Sequence, residues 1–181
     1  MLPPGHVAGA YLVTSAVLIL THPSVSPEQL VILLWIGIFF GIAPDFDFFY
    51  GLLKYKTVTA HDDEFDHRKF LSHAPILWLI PSLVIFFLAP TPFWKEIGLL
   101  IWVGSWTHFA LDSIETGIMW LWPFRKTKMA VLPTQKEYIT DERRFFPFWI
   151  GLVRWYALTM TSFWLEILTI VIAGVVYALH V

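Results

Sequence analysis

The chain has 181 residues, of which 57% are hydrophobic and only 14% are charged, and its mean hydropathy is +0.65. This apolar share exceeds that of soluble globular domains and indicates a protein that folds within a membrane. The formal charge of −2 argues against a nucleic-acid partner, and the lack of cysteine excludes disulfides and thiolate metal sites.

Five apolar segments are predicted to form transmembrane helices within one membrane-embedded domain covering residues 1–181. Each segment carries little charge and approaches the roughly 20 residues that a helix needs to cross a bilayer. Prolines separate the first segment from the second and the third from the fourth, which predicts two tight connections. The expected fold is therefore an all-α, polytopic helical bundle, with spans at about 7–21, 29–43, 74–90, 97–114 and 160–180.

The two polar connections, roughly 44–73 and 115–159, contain 11 of the 12 Lys and Arg residues, and Lys95 is the exception. With five crossings, both connections lie on one side of the membrane. The positive-inside rule makes that side cytoplasmic and predicts an inner-membrane location. The basic residues of the two connections are Lys54, Lys56, Arg68, Lys69, Arg125, Lys126, Lys128, Lys136, Arg143, Arg144 and Arg154.

The segment 145–159 mixes aromatic residues with Arg154, a composition typical of a helix that lies in the headgroup layer. We therefore predict an interfacial amphipathic helix in the last loop, with a sixth crossing as the alternative. Trp120 and Trp122 in the same loop fit an interfacial aromatic belt.

Seven His and Asp residues occur at the ends of the first four predicted spans. Because successive helices of such a bundle alternate in direction, the starts of odd spans and the ends of even spans share one face. Imidazole and carboxylate groups are suitable ligands for divalent metals. The predicted metal ligands at this face are His6, Asp45, Asp47, His67, His73, His108 and Asp112.

His108 and Asp112 give the sharpest local signal. They are four residues apart on a predicted helix, so their side chains differ by only about 40° around the helix axis and can bind one metal together. An Asp–His hydrogen bond that fixes two helices is the alternative. Ionisable residues in an otherwise apolar span usually have a functional partner.

Pro44 disfavours helical geometry at the preceding residue, so Asp45 and Asp47 can leave the second span in an irregular turn and both point inward. The alternative is a helix that simply ends in polar residues. His67 and His73 are about 240° apart on a helix and share a site only if the segment bends. Between them, Arg68 either holds an anionic substrate or contacts lipid headgroups.

Several enzyme signatures are missing from the sequence. It has no His-Glu-x-x-His motif of a zinc protease and no Gly-x-Ser-x-Gly elbow of a serine hydrolase. The candidate ligands are all oxygen or nitrogen donors, and they outnumber what one tetrahedral ion requires. This pattern favours two ions that together activate water and stabilise a leaving oxygen.

The candidate residues belong to short motifs that occur in the order His6, Pro44-Asp-x-Asp47, His67-Arg68, Ser72-His73 and His108-x-x-Leu111-Asp112. In this order, the motifs resemble those of the YdjM-like family of predicted membrane-bound metal-dependent hydrolases. That family is similar in motif order to zinc-dependent phospholipase C and the P1 nucleases. The resemblance implies one ion held by Asp45 or Asp47, by His73 or His67, and by His108, with Asp112 bridging to a second ion on His6. The later His-x-x-x-Glu pair that holds a third zinc in those soluble enzymes has no counterpart here.

The sequence thus predicts a membrane-bound hydrolase that cleaves a phosphoester of a lipid or lipid-linked substrate with a metal-activated water. Zn is the favoured metal, with Mn or Fe as alternatives. The predicted catalytic residues are Arg68, which would neutralise a phosphate, and whichever of Asp45 and Asp47 is free of metal, which would act as general base. Two rival functions are a non-enzymatic metal- or lipid-binding membrane protein and an ion transporter. The position of the ligands at span ends argues against transport.

Overall fold

The computed structural model describes residues 1–47, 49–50, 53, 67–132, 138, 140 and 144–180, without the side chains of residues 67, 145 and 180. In these ranges the regular structure is helical, apart from an isolated β-bridge between Ile118 and Met129. The α-helices found there are α1 (Pro3–Thr21), α2 (Pro27–Phe40), α3 (Pro75–Leu88), α4 (Pro92–Asp112), α5 (Phe145–Thr159) and α6 (Thr161–His180).

The helix starts are set by proline and by capping side chains. Pro occupies the first turn of α1, α2, α3 and α4, where its missing N–H costs nothing. Ser26 caps α2 in a capping box with Gln29, and the Thr91 side chain accepts from the Trp94 N–H at the start of α4. Helices α1 and α4 begin four and five residues before the apolar segments predicted at about 7–21 and 97–114, α1 with prolines in its first turn and α4 at the Thr91 cap.

Helix α4 lies at the centre of the bundle and packs against α1, α2 and α3, while α6 packs against α1. Small residues allow the backbones to approach closely, as is common between membrane helices. A Cβ placed on Gly104 would lie 2.6 Å from the Gly37 carbonyl oxygen, and one on Gly41 would collide with the Ala10 Cβ. These contacts hold α1, α2 and α4 tightly together.

The outer surface of the bundle is strongly apolar, with exposed residues such as Leu20, Phe87 and Leu168. Among the residues that the structure describes, two helices, Pro3–Thr21 and Thr161–Leu179, are long and apolar enough to cross a membrane. Helices α2 and α3 have 14 residues each, which gives a length of about 21 Å, shorter than a hydrocarbon core of about 30 Å. All five apolar segments are thus helical, but five crossings are not confirmed.

Short 3-10 helices connect the bundle to the polar loop between α2 and α3. The chain leaves α2 through the 3-10 helix Ala43–Phe46, the irregular turn expected at Pro44. Two further 3-10 helices, His67–Lys69 and Leu71–His73, lead into α3. In the last loop, α5 occupies the segment predicted as an amphipathic helix, and its place at the interface stays a prediction.

Candidate metal centre

Five of the predicted ligands meet at one end of the bundle. His6 comes from the first turns of α1, Asp45 from the 3-10 helix after α2, His73 from the entry to α3, and His108 and Asp112 from the end of α4. The three histidines and Asp112 are buried, and Asp45 is partly exposed. The side chains therefore lie where alternation of helix direction predicts them.

The rings of His73 and His108 are each held by a contact at Nδ1, on the side away from the other ring. His73 Nδ1 lies 2.9 Å from Asp47 Oδ2, and His108 Nδ1 lies 3.0 Å from the Gly41 carbonyl oxygen. Because a carbonyl only accepts, His108 Nδ1 must donate, which leaves the lone pair of its Nε2 free. The two Nε2 atoms face each other at 3.3 Å. This arrangement, with an acceptor behind each ring, is typical of metal-binding histidines.

Asp45 completes a compact set of ligand atoms, which we call the Asp45 group (Asp45, His73 and His108). Asp45 Oδ1 lies 3.5 Å from His73 Nε2 and 3.4 Å from His108 Nε2. Neighbouring ligands of a tetrahedral ion with bonds of about 2.0–2.1 Å are about 3.3–3.4 Å apart. The spacing of the three atoms therefore fits one divalent ion. Asp112 Oδ2, at 3.8 and 4.0 Å from the same two nitrogens, is a fourth candidate.

A second set, which we call the His6 group, consists of His6, His108 and Asp112. His6 stacks on His108 with ring centroids 3.9 Å apart, and its Nε2 lies 3.3 Å from Asp112 Oδ1. Both nitrogens of His6 are buried without a hydrogen-bond partner among the described residues. An unsatisfied buried polar group costs about 1–3 kcal/mol, so the ring fits a site that binds an additional partner.

Asp112 is also the acceptor for two basic groups. Arg68 Nε lies 2.7 Å from Asp112 Oδ2, and the Met1 amino nitrogen lies 2.9 Å from Asp112 Oδ1. These contacts neutralise a carboxylate that is otherwise buried among histidines. A cation bound to the His6 group would therefore compete with them for the oxygens of Asp112.

The charge on His73 depends on the carboxylates that contact it. Burial would lower the pKa of His73, but hydrogen bonds to Asp45 and Asp47 raise this pKa to about 9. His73 and the two carboxylates therefore form a buried ion-pair cluster near neutral pH. A metal ion bound here would take the place of the proton on Nε2, because imidazole ligates metals in its neutral form.

The remaining predicted residues differ in position. Asp47 lies behind His73 rather than beside its Nε2, and its Oδ2 also accepts from the Ser72 hydroxyl. Arg68 reaches Asp112 and is partly exposed. The backbone of His67 begins a 3-10 helix, but its side chain lies outside the described part of the chain.

Two carboxylates that the sequence reasoning missed support the site. Glu166 of α6 is buried and accepts from the backbone N–H groups of Leu2 and Gly5 at 3.0 and 3.1 Å, which caps the helix that carries His6. A Cβ on Gly5 would lie only 2.7 Å from Glu166 Cγ. Glu115, directly after α4, accepts from the N–H groups of residues 161 and 162 at the start of α6. The signal for Glu166 was a lone carboxylate in an apolar segment, which is rarely without a role.

An apolar helical bundle with a buried His/Asp cluster at one end defines the class of this molecule: a helical membrane protein with a candidate metal centre. The chain belongs to the YdjM inner membrane protein family, whose match covers residues 1–181. No curated protein and no solved structure matches the chain. The family confirms the membrane location and the coarser part of the resemblance seen in the sequence.

Proposed function

We propose that this protein is a membrane-bound, metal-dependent hydrolase that cleaves a phosphoester of a lipid or lipid-linked substrate. The observation that carries the proposal is the Asp45 group, whose three ligand atoms lie 3.3–3.5 Å apart. A purely structural cluster would have little need to gather two imidazole Nε2 atoms and a carboxylate oxygen at the same point.

The residues fit two ions. The first would be held by Asp45, His73 and His108, with Asp112 within reach, and the second by His6 and Asp112. Histidine and carboxylate ligands favour zinc, while manganese and iron bind similar sets. Bound ions would supply a water of lowered pKa and stabilise negative charge that develops on the ester oxygens.

The protein side chains would divide the remaining work. Arg68 is partly exposed beside Asp112, so its guanidinium is suited to bind a substrate phosphate through two parallel hydrogen bonds, in bidentate geometry. Asp47 is suited to orient His73, because its Oδ2 is shared between that ring and Ser72. Asp45 would be occupied as a ligand of the first ion and Asp47 by His73, so a metal-free general base from this pair stays a prediction of the sequence.

The substrate class follows from the surroundings of the site. The ligands occur at helix ends, where a span meets the headgroup layer, and the outside of the bundle is apolar. A molecule with a phosphate near the site and an acyl or prenyl chain along the bundle would satisfy both environments. The excess of basic residues in the two polar loops favours access from the cytoplasmic leaflet.

The proposal is tested by metal content and turnover of purified protein. We expect His108→Ala to lose the zinc ion of the Asp45 group and to lose zinc- or manganese-dependent hydrolysis of a chromogenic phosphodiester, because His108 Nε2 is one of the three ligand atoms of that group. His22→Asn is the matched control, since His22 is an exposed histidine at the opposite end of α1 whose left-handed conformation Asn tolerates. Equal metal content in wild type and His108→Ala would contradict the proposal.

A non-enzymatic metal-binding role is the second candidate. It is favoured by the contacts of Asp112 with Arg68 and Met1, which join separate segments of the chain without any ligand. In that case zinc would bind and raise the Tm, yet no phosphoester would be hydrolysed at any metal concentration.

A further inference from the structure

The chain forms a short hairpin, residues 117–132, directly after α4, and we call it the basic hairpin. Its two arms pair through Ile118 and Met129, whose backbones exchange hydrogen bonds of 3.3 and 2.9 Å. The returning arm is fixed to the end of α4, because the Val131 N–H donates to the Ser113 carbonyl at 2.7 Å. The hairpin is thus attached at the end of the bundle that carries Asp112.

The base of the basic hairpin is well packed. Ile118 and Met119 are buried, and the Trp120 indole N–H donates to the Ser113 hydroxyl at 2.7 Å. The Trp120 ring also makes edge contacts with Trp106 and Phe109 of α4, at centroid distances of 5.4 and 6.4 Å. The hairpin therefore projects from a rigid support rather than from a loose loop.

The tip has the opposite character. Phe124 is 90% exposed, and Leu121 is exposed as well. Residues 117–132 contain three basic side chains and no Asp or Glu, so this stretch carries a formal charge of +3. Exposed apolar side chains beside a one-signed set of cations are typical of segments that bind an anionic membrane surface. The basic side chains, all exposed, are Arg125, Lys126 and Lys128.

We propose that the basic hairpin binds the anionic headgroups of the leaflet at this end of the bundle and inserts Phe124 and Leu121 into its acyl boundary. Charge complementarity and the neighbouring bilayer both favour this occupant. Phe and Leu side chains are stabilised when they are buried at the boundary between headgroups and acyl chains, and each cation near an anionic surface adds about a fivefold preference for it. Binding by the hairpin requires neither a metal ion nor turnover.

The experiment uses the natural absence of cysteine to label one position at a time. Phe124→Cys is labelled with an environment-sensitive fluorophore in the full chain, in nanodiscs of phosphatidylcholine with or without phosphatidylglycerol. With the anionic lipid, we expect a blue-shifted emission, quenching by nitroxide-bearing lipid and at least a threefold loss of quenching by acrylamide. Thr127→Cys, which retains Phe124, provides a second reporter.

Two controls distinguish binding of anionic lipid by the basic hairpin from shielding that any residue close to the membrane would show. Replacing Arg125, Lys126 and Lys128 by Gln in the labelled chain should restore acrylamide quenching. Ser24→Cys, in the exposed connection after α1, should respond equally in both lipid mixtures because no basic residue lies near it in sequence.

Three results would overturn the proposal. One is acrylamide access at position 124 that is equal in both lipid mixtures. Another is shielding that the three Gln substitutions leave unchanged. The third is shielding that persists in lipid-free detergent and rises with protein concentration, since this would identify a second copy of the chain as the occupant.

Discussion

The two candidate ligand groups share His108 but differ in how firmly their other members are held. In the Asp45 group, the carboxylate of Asp47 lies behind His73, and the Gly41 carbonyl lies behind His108. Both rings are therefore held in one orientation before any ion arrives. Such outer contacts commonly raise metal affinity by about 10- to 100-fold.

In the His6 group, no such support exists in the described part of the chain. His6 has no hydrogen-bond partner on either nitrogen, and Asp112 is already engaged by Arg68 and the Met1 amino group. An ion bound there must compete with two basic groups. Under the two-ion proposal, we therefore expect a tight ion in the Asp45 group and a weaker one in the His6 group.

Removal of one ligand from each group gives the largest contrast. We expect Asp45→Ala to lower the affinity of the Asp45 group for its ion by more than about a hundredfold. This loss exceeds the effect expected from removing a residue that only hydrogen-bonds to a ligand. His6→Ala should remove only the weaker ion. Zinc titration against a competing chelator measures both, and loss of the tight ion in His6→Ala alone would contradict the assignment.

Asp47→Asn tests the support behind His73. Asn keeps the size of the side chain but removes the charge that stabilises the Nδ1 proton of His73. We expect the tight ion to weaken by about 10- to 100-fold while the second ion stays unchanged. Ser72→Ala, which removes only the hydroxyl that donates to Asp47, should have a smaller effect. A complete loss of the ion in Asp47→Asn would instead indicate direct ligation.

Arg68→Gln should raise the affinity for the second metal ion but lower the rate of phosphodiester hydrolysis. Without the guanidinium at 2.7 Å, Asp112 is freer to bind a cation, so affinity for the second ion should rise severalfold. Hydrolysis of a phosphodiester should fall, mainly through a higher KM, because the phosphate loses a partner. Lys69→Gln is the neighbouring control with the same loss of charge. Weaker metal binding in Arg68→Gln would disprove competition at Asp112.

Glu166→Gln should have the smallest effect. Gln can still accept from one of the N–H groups of Leu2 and Gly5, but not from both, because they donate to different oxygens of Glu166, and it lacks the charge that favours a helix N-terminus. We expect a decrease of a few fold in affinity for the second ion, because α1 carries His6, and no change in the tight ion. Equilibrium titration of both ions checks this, and an equal effect on both would point to general destabilisation.

Topology alone was enough to predict which residues gather. Helices that alternate in direction bring the start of α1 and the ends of α2 and α4 to one face, so His6, Asp45 and His108 are expected at that face, while their approach to within ligand distance depends on packing. The i,i+4 spacing of His108 and Asp112 likewise follows from helix geometry. These relations need only the order of the apolar segments.

The division of roles between Asp45 and Asp47 could not be predicted. It depends on the 3-10 turn at Pro44, which presents one carboxylate to Nε2 and the other to Nδ1 of His73. Glu166 was missed for a similar reason, since its role appears only when α6 packs against α1. Both features arise from tertiary contacts that hydropathy does not encode.

Zinc titration of metal-free wild-type protein, read by a competing chelator and by elemental analysis, tests the central claim most directly. The two-group account predicts a stoichiometry near two, with one tight and one weaker site, and predicts that His6→Ala retains the tight site alone. A protein that binds no zinc, or one whose tight site survives Asp45→Ala but not His6→Ala, would contradict it.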